Sequence, residues 1–273
     1  MRWSKDSVQT IVQFLNSEFG DAVRNMTTRF GLSANGIKWI AIFAMIINHI
    51  GWMTIETLGT WGFFPLFFVG HLTMPIMGFF IAEGFRYTRD RKKYALRLLV
   101  FALLSQLPYN YFKLGNPLSL EISPTYFNVL FTLLLGLCAL WVAKSEWKLW
   151  VRIPLIILTA LASILCDWPI FGILYVLAFG LNSGSSKRQV LWYSLTAAVQ
   201  IAVYIPYQWS SDGPLILATF GLFLVLIPLA LYNGKKSSPQ APVWTSNKWI
   251  FYIIFPTHLV ILAFLHFELG WLK

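Results

Sequence analysis

One apolar stretch of this chain carries side chains that can do chemistry. Between Gly36 and Met53 the sequence reads GIKWIAIFAMIINHIGWM. It is apolar enough to cross a bilayer, yet it holds Lys38 near one end and Asn48 and His49 inside. An ionisable side chain within such a span is expensive to bury and marks a functional site by default. A neutral imidazole accepts the proton of an attacking amine or hydroxyl, or carries an acyl group itself, so His49 is the candidate base of an acyl transfer. Lys38 precedes it by eleven residues, close to three helical turns, which puts both on one face roughly 16 Å apart along the axis. A nucleotide thioester is long enough to leave its phosphates near Lys38 and reach His49 with its thioester. Taken alone, Lys38 reads as a cation snorkelling at a span end; the bland alternative for His49 is a satisfied helix contact.

Other chemistry-bearing residues lie further along. His71 and His258 also fall inside apolar stretches, the second just after Pro256 in NKWIFYIIFPTHLVIL. Asp167 sits between two short apolar segments, on the same side as His49, and is the candidate carboxylate to assist the base. The turn IAEGFRYTRDRKKYALR crowds Glu83, Arg86, Arg89, Arg91, Lys92, Lys93 and Arg97 together. Its plain explanation is a topogenic signal. The sharper one is a phosphate clamp at the mouth of the bundle, since a guanidinium fork suits bidentate phosphate contact. Arg86 follows Glu83 by one helical turn, so an ion pair is expected to hold it. Arg86, Arg89 and Arg97 with Lys38 are the candidate phosphate-binding residues.

The elements that must position these groups are helices in a membrane. Of 273 residues, 57% are hydrophobic and 12% charged, and the mean hydropathy is +0.63. That composition predicts an all-α, polytopic integral membrane helix bundle. Nine spans are read near 37–55, 62–85, 94–112, 126–143, 149–166, 169–182, 189–207, 214–232 and 249–267. Before them, Val8, Ile11, Val12, Leu15, Phe19 and Val23 recur at helical spacing, which predicts an amphipathic helix on the cytoplasmic leaflet. The organisation is therefore a segment over 1–35 and one membrane domain over 36–273, with no cleaved signal peptide expected. With the N-terminus in the cytoplasm, every Lys and Arg of the 21 except Lys113 and Lys273 falls on the cytoplasmic side. This explains the net charge of +10 and leaves nothing basic over for nucleic acid. Cys138 and Cys166 are expected to lie too far apart to bridge. Four histidines without a Cys or His pair at ligand spacing give no metal signature.

Within the bundle, the second span is dense in Gly and Pro (Gly62, Pro65, Gly70, Pro75, Gly78), as expected of a kinked or closely packed helix. Ser105, Gln106, Asn110, Asn128 and Thr132 read as interhelical hydrogen-bond partners. KKSSPQAPVW is a Pro-rich cytoplasmic linker.

Six stretches together resemble the TraX family: MIINHIG at 45–51, MPIMGFFIAEGFRYTRDRKKY at 74–94, RLLVFALLSQLPYN at 97–110, NVLFTLLLG at 128–136, DWPIFGIL at 167–174 and FYIIFPTHL at 251–259. They cover most of the chain in order. The resemblance implies membrane proteins associated with N-acetylation of F-type pilin, within the broader superfamily of transmembrane acyltransferases. The O-acetylating relatives in that superfamily place an arginine ahead of a catalytic histidine in the first span, at the spacing of Lys38 and His49 here. Many family members have an aspartate before the histidine, where this chain has Asn48. An asparagine accepts a hydrogen bond from imidazole but does not balance an imidazolium by charge. The resemblance thus implies an acetyl-CoA-dependent transferase of the bacterial inner membrane, multi-pass, with acetyl-CoA and membrane lipid as partners. Its acceptor, a peptide amino terminus or a glycan, is reached from the outer side. The implied catalytic set is His49, Asn48, Asp167 and His258. The rival reading is a small transporter or channel whose intramembrane histidines handle protons or substrate.

Overall fold

The computed structural model describes residues 31–119, 125–208, 215–237 and 249–271. The amphipathic segment expected over 1–35 lies almost wholly outside the described residues, and so does most of the Pro-rich linker. All regular structure described is helical: α1 (Ala34–Gly70), α2 (Thr73–Tyr87), α3 (Arg91–Leu104), α4 (Gln106–Leu114), α5 (Val129–Ala143), α6 (Leu149–Ala162), α7 (Phe171–Leu181), α8 (Ser186–Gln208), α9 (Leu215–Ala218), α10 (Leu226–Ala230) and α11 (Ile250–Phe267), with 3₁₀ turns at Ser163–Leu165 and Thr219–Val225. Two stretches are both long and apolar enough to cross a bilayer, Ala34–Tyr87 and Ile250–Phe267. Val129–Ala143, Leu149–Leu165, Phe171–Leu181 and Leu215–Ala230 are shorter apolar helices.

Contacts divide the chain into two compact units. The smaller comprises Met1–Trp39 and Leu226–Asn247. Among its described residues, Leu32 and Tyr232 form an isolated parallel bridge. Backbone hydrogen bonds continue it, from Leu32 N–H to the Leu231 carbonyl at 2.8 Å and from Ala34 N–H to the Lys235 carbonyl at 2.8 Å. The Asn233 side chain donates to the Gly31 carbonyl at 3.0 Å. These bonds use backbone groups that the entry to α1 would otherwise leave unpaired.

The larger unit comprises Ile40–Val225 and Lys248–Lys273. Helix α1 reverses at Gly59, whose φ of 64° and ψ of 179° lie in a region essentially reserved for glycine. The arm after Gly59 packs back on the arm before it. Gly51 faces Phe63 and Leu66, Gly70 faces Asn48, and the Trp52 ring meets Phe63 at 5.1 Å and Phe67 at 5.6 Å. A two-residue turn at His71 and Leu72 then leads into α2. The core of this unit is the mutual packing of α2, α5 and α7. Gly136 lies directly against Val176 and Gly180 against Leu140, so α5 and α7 approach more closely than larger residues would allow. Phe79 of α2 meets Phe179 of α7 edge to face at 5.4 Å.

Of the polar residues expected as interhelical partners, Gln106, Asn110, Asn128 and Thr132 make hydrogen bonds, whereas Ser105 Oγ is buried without a partner. Asn128 caps α5 by accepting from Leu130 N–H at 3.1 Å, and its amide donates to the Ala102 carbonyl at 2.8 Å and to Gln106 at 2.9 Å. The Gln106 amide reaches Asn110 and the Tyr126 carbonyl, both at 2.8 Å. The segment expected as one span over 94–112 breaks at Ser105 into α3 and α4. The short helix α4 packs on α11, which carries His258.

Candidate active site

Helices α1 and α11 bring two of the three intramembrane histidines together. His49 Nδ1 lies 2.7 Å from the Met45 carbonyl oxygen and 3.3 Å from His258 Nε2. His258 Nδ1 lies 2.9 Å from the Ile254 carbonyl oxygen. Each Nδ1 thus faces the carbonyl four residues earlier in its own helix. An oxygen without hydrogen can only accept, so each neutral ring carries its proton on Nδ1. His258 Nε2 then keeps a lone pair aimed at His49 Nδ1–H, and His49 keeps its own lone pair on Nε2. The rings meet edge to face at 4.9 Å, and Phe112 of α4 closes another side of His49, also at 4.9 Å. A fixed tautomer with a free Nε2 is the form a general base requires.

The other candidate catalytic residues stand elsewhere. Asn48 follows the helix by about 100° away from His49, as neighbours in a helix must. Its Oδ1 is buried against Gly70 without a hydrogen-bond partner. The expected hydrogen bond from the imidazole to Asn48 is therefore not made, because the Met45 carbonyl holds the Nδ1 proton. His71 sits at the turn after α1, with Nδ1 2.8 Å from the Phe67 carbonyl oxygen and its ring 5.6 Å from Trp168.

Asp167 lies in the connection from α6 to α7, and the structure does not bring it to His49 as the sequence reading expected. The Lys113 charge acts on its carboxyl, and the carboxyl charge in turn acts on Tyr109 and Tyr204. Burial raises its carboxyl to about 6, against the lowering effects of the Trp168 N–H and Lys113. The connection is pinned from several sides. Asp167 N–H donates to the Phe127 carbonyl at 2.8 Å, Thr132 donates to the Asp167 carbonyl, and Ile170 N–H donates to Ser163 Oγ at 2.8 Å. Within it Trp168 and Ile170 both have φ of 58°.

The candidate phosphate contacts divide in the same way. Arg86 donates to the Ser183 carbonyl at 2.9 Å and lies 5.2 Å from the Tyr87 ring centre. The expected Glu83–Arg86 ion pair is not formed; Glu83 feels the Arg86 charge, but the guanidinium turns to the C-terminal end of α7. Arg89 is exposed. Arg97 is half-buried in an aromatic box, donating to Tyr252 Oη at 3.3 Å with Tyr94, Trp249 and Tyr252 rings 5.3 to 5.9 Å away. It holds α3 to α11. Asp90 caps α3 by accepting from Lys93 N–H at 2.9 Å, which keeps its carboxyl below the ordinary range. Lys38 belongs to the smaller unit, where the Lys236 charge acts on it. Among the described residues no three metal-ligating side chains cluster.

Sequence reasoning missed Phe112 and the Met45 carbonyl beside His49, and the Phe127 carbonyl that accepts from the Asp167 backbone. The Met45 contact was open to inference, because a helical histidine commonly returns to the carbonyl one turn back. The others depend on contacts between distant segments.

The comparisons with known proteins agree with this arrangement of motifs. No solved structure matches the chain. The "Probable fimbrial assembly protein FimC, serogroup H1" of Dichelobacter nodosus is 32% identical over 244 residues, covering 87% of this chain and 97% of that protein. The family model described as TraX protein matches residues 33–266, through both histidine-bearing helices and the core between them, and the chain belongs to the TraX family.

Proposed function

We propose that this protein is a polytopic inner-membrane acetyltransferase that moves an acetyl group from cytoplasmic acetyl-CoA to the amino terminus of a pilin-like peptide. The observation that carries the reading is the His49–His258 pair, with His49 Nδ1–H engaged and Nε2 left as a base. Membership of the TraX family and likeness to a fimbrial assembly protein support the pilin-related acceptor. Large apolar side chains on the outside of α6 and α8 support a membrane-embedded bundle of about nine spans.

In this reading the acceptor nitrogen attacks the thioester carbonyl carbon. A C–N bond forms and the C–S bond breaks, while the proton passes from the amine to His49 Nε2 and on to the departing CoA sulfur. The acetyl group either transfers directly or rests on His49 first. His258 accepts from His49 Nδ1–H and steadies the ring through proton transfer. Arg86 and Arg89 meet the CoA phosphates at the cytoplasmic mouth.

His49→Ala is expected to lower single-turnover acetyl transfer by at least about a hundredfold while acetyl-CoA affinity stays near normal. Rapid-quench kinetics with an independent binding measurement on the same folded variant check this. Near-normal turnover in that variant removes His49 from the chemistry. Solute flux into liposomes without acetyl transfer would instead favour a transporter.

A further inference from the structure

The turn that joins α5 to α6 is held more firmly than a surface loop requires. Arg152 Nη1 donates to the Ala143 carbonyl at 3.0 Å and to the Ser145 carbonyl at 3.2 Å. Ser145 Oγ donates to the Val142 carbonyl at 2.7 Å and accepts from Trp147 N–H at 3.4 Å. The Arg152 charge is thereby committed to the backbone of the turn. Two other charged residues there are not committed. Glu146 and Lys148 are exposed, and among the described residues neither makes an ion pair; the pair that forms is Lys93 with Asp90.

Glu146, Trp147, Lys148, Val151 and Leu155 line one cleft of about 550 Å³. Its polarity is graded. The carboxyl, the ammonium and the indole lie at the turn, whereas Val151 and Leu155 follow one and two helical turns later, reaching roughly 10 Å along α6 from Lys148. Helix α6 also starts at the charged end, with Lys148 as an N-cap that makes no side-chain bond. The N–H groups of its first turn favour a negative group there. Trp147 and Trp150 are 55% and 72% exposed, and exposed indoles at a helix end mark the level where head groups meet acyl chains. A cleft charged at that level and apolar beyond it has the layout of one amphiphile. Both signs of charge at its head end call for a head group that carries both.

The geometry points to a site for one phospholipid with a phosphoethanolamine head group, in the cleft between Glu146 and Leu155. Lys148 and the first turn of α6 take the phosphate, Glu146 takes the primary ammonium, and an acyl chain lies along Val151 and Leu155. A purely anionic head group would set its charge against Glu146, and a quaternary ammonium has no N–H to donate to that carboxylate. Helix α6 packs on α5 and buries none of its own residues, so the lipid supplies contacts that protein does not. The inference rests on the membrane-embedded part of the proposed reading and not on acetyl transfer.

The test is native mass spectrometry of the full chain in detergent, delipidated and then titrated with phosphatidylethanolamine, phosphatidylcholine and phosphatidylglycerol of identical acyl chains. The first lipid bound should be phosphatidylethanolamine, about five- to tenfold tighter than the other two, a preference between that of an exposed ion pair and that of a charged hydrogen bond. Glu146→Gln should bring phosphatidylethanolamine level with phosphatidylcholine, and Lys148→Ala should weaken both. Lys144→Ala removes a charge from the same turn but outside the cleft lining, and should leave the preference as it is. Leu155→Trp fills the apolar end and should lower the affinity of all three. Equal affinities in the native chain overturn the site, and so does a preference for phosphatidylglycerol. A preference that survives both Glu146→Gln and Lys148→Ala places the lipid elsewhere and overturns it too. Neither acetyl-CoA nor an acceptor enters the measurement, so a chain without acetyl transfer but with the expected lipid order keeps this site.

Discussion

His49 and Asp167 show how far a residue's role depends on partners that a linear sequence does not pair. His49 and His258 were legible as candidates, because an ionisable group in an apolar run stands out wherever it occurs. The orientation of each Nδ1 is set one turn back in its own helix, whereas their contact came from packing across 209 positions. Asp167 was legible as unusual, but the loop carrying it is bonded to Phe127 and Thr132 at the start of α5, which no spacing in the sequence announces. In the proposed mechanism His258 acts through His49, so His258→Phe should lower kcat roughly five- to tenfold, the worth of one hydrogen bond of about 1 kcal/mol. KM for both substrates should hold. His258→Gln, whose carbonyl can accept from Nδ1–H, should recover part of the loss, and a KM change without a kcat change contradicts the positioning role. Asp167 also leaves a mark on stability. Its carboxyl is raised by burial to about 6, whereas an unfolded aspartate titrates near about 3.9. Between those values the folded chain binds more protons than the unfolded one, so stability falls as pH rises through that window and stays lower above it. Asp167→Asn should therefore melt above the native protein at pH 8, with the gap closing near pH 4. Thermal melts in detergent at both pH values measure this, and a gap that persists at pH 4 would place the cost elsewhere.

At the level of elements, hydropathy marked where apolar helices lie better than where they bend. The segments read at 37–55 and 62–85 correspond to the two arms of α1 together with α2, and Gly59 falls in the gap left between them. The break at His71 and Leu72 inside the second segment was not read, because Gly70 and Pro75 signal weakness without giving its position. The break at Ser105 was missed for the same reason. What sets these bends is close approach. A Cβ at Gly70 would overlap the Asn48 side chain, and one at Gly221 would overlap the Phe68 carbonyl oxygen. Gly70→Ala and Gly221→Ala should each destabilise the fold by roughly 1–3 kcal/mol through overpacking. Gly59→Ala should cost a similar amount for another reason. Nothing stands within 4 Å of its added methyl, but the backbone there suits only glycine. Gly184→Ala, with equal space and no unusual backbone, should be neutral within about 0.5 kcal/mol. A ranking by melting temperature in which Gly184→Ala matches the other three would remove the packing argument.

The molecule as a whole presents more apolar surface than a protein in water sustains. Helix α6 buries none of its residues and turns Leu149, Trp150, Ile153, Ile157, Leu158 and Leu161 outward. Helix α8 does the same with Leu191, Trp192, Leu195, Val199 and Val203. Such faces belong against lipid, where an apolar exterior costs nothing and close packing of small residues does the work of association. The all-helical class was legible from composition, because only helices and closed barrels satisfy their backbone within a bilayer. Orientation follows from charge. If the bundle crosses about nine times, every Lys and Arg but Lys113 and Lys273 lies on the N-terminal side. On the proposed reading the basic turn between α2 and α3 then faces the cytoplasm, and Asp167 and Lys113 face the opposite side. In a background with Cys138 and Cys166 replaced by Ser, Arg91→Cys and Lys273→Cys should separate these sides. A membrane-impermeant maleimide applied to intact spheroplasts should mark Lys273→Cys alone, and permeabilisation should add Arg91→Cys. Labelling of both before permeabilisation would mean that the chain crosses an even number of times between residues 91 and 273, not seven. Labelling of Arg91→Cys alone would invert the chain and put the basic turn on the side opposite to the one the proposed use of cytoplasmic acetyl-CoA requires.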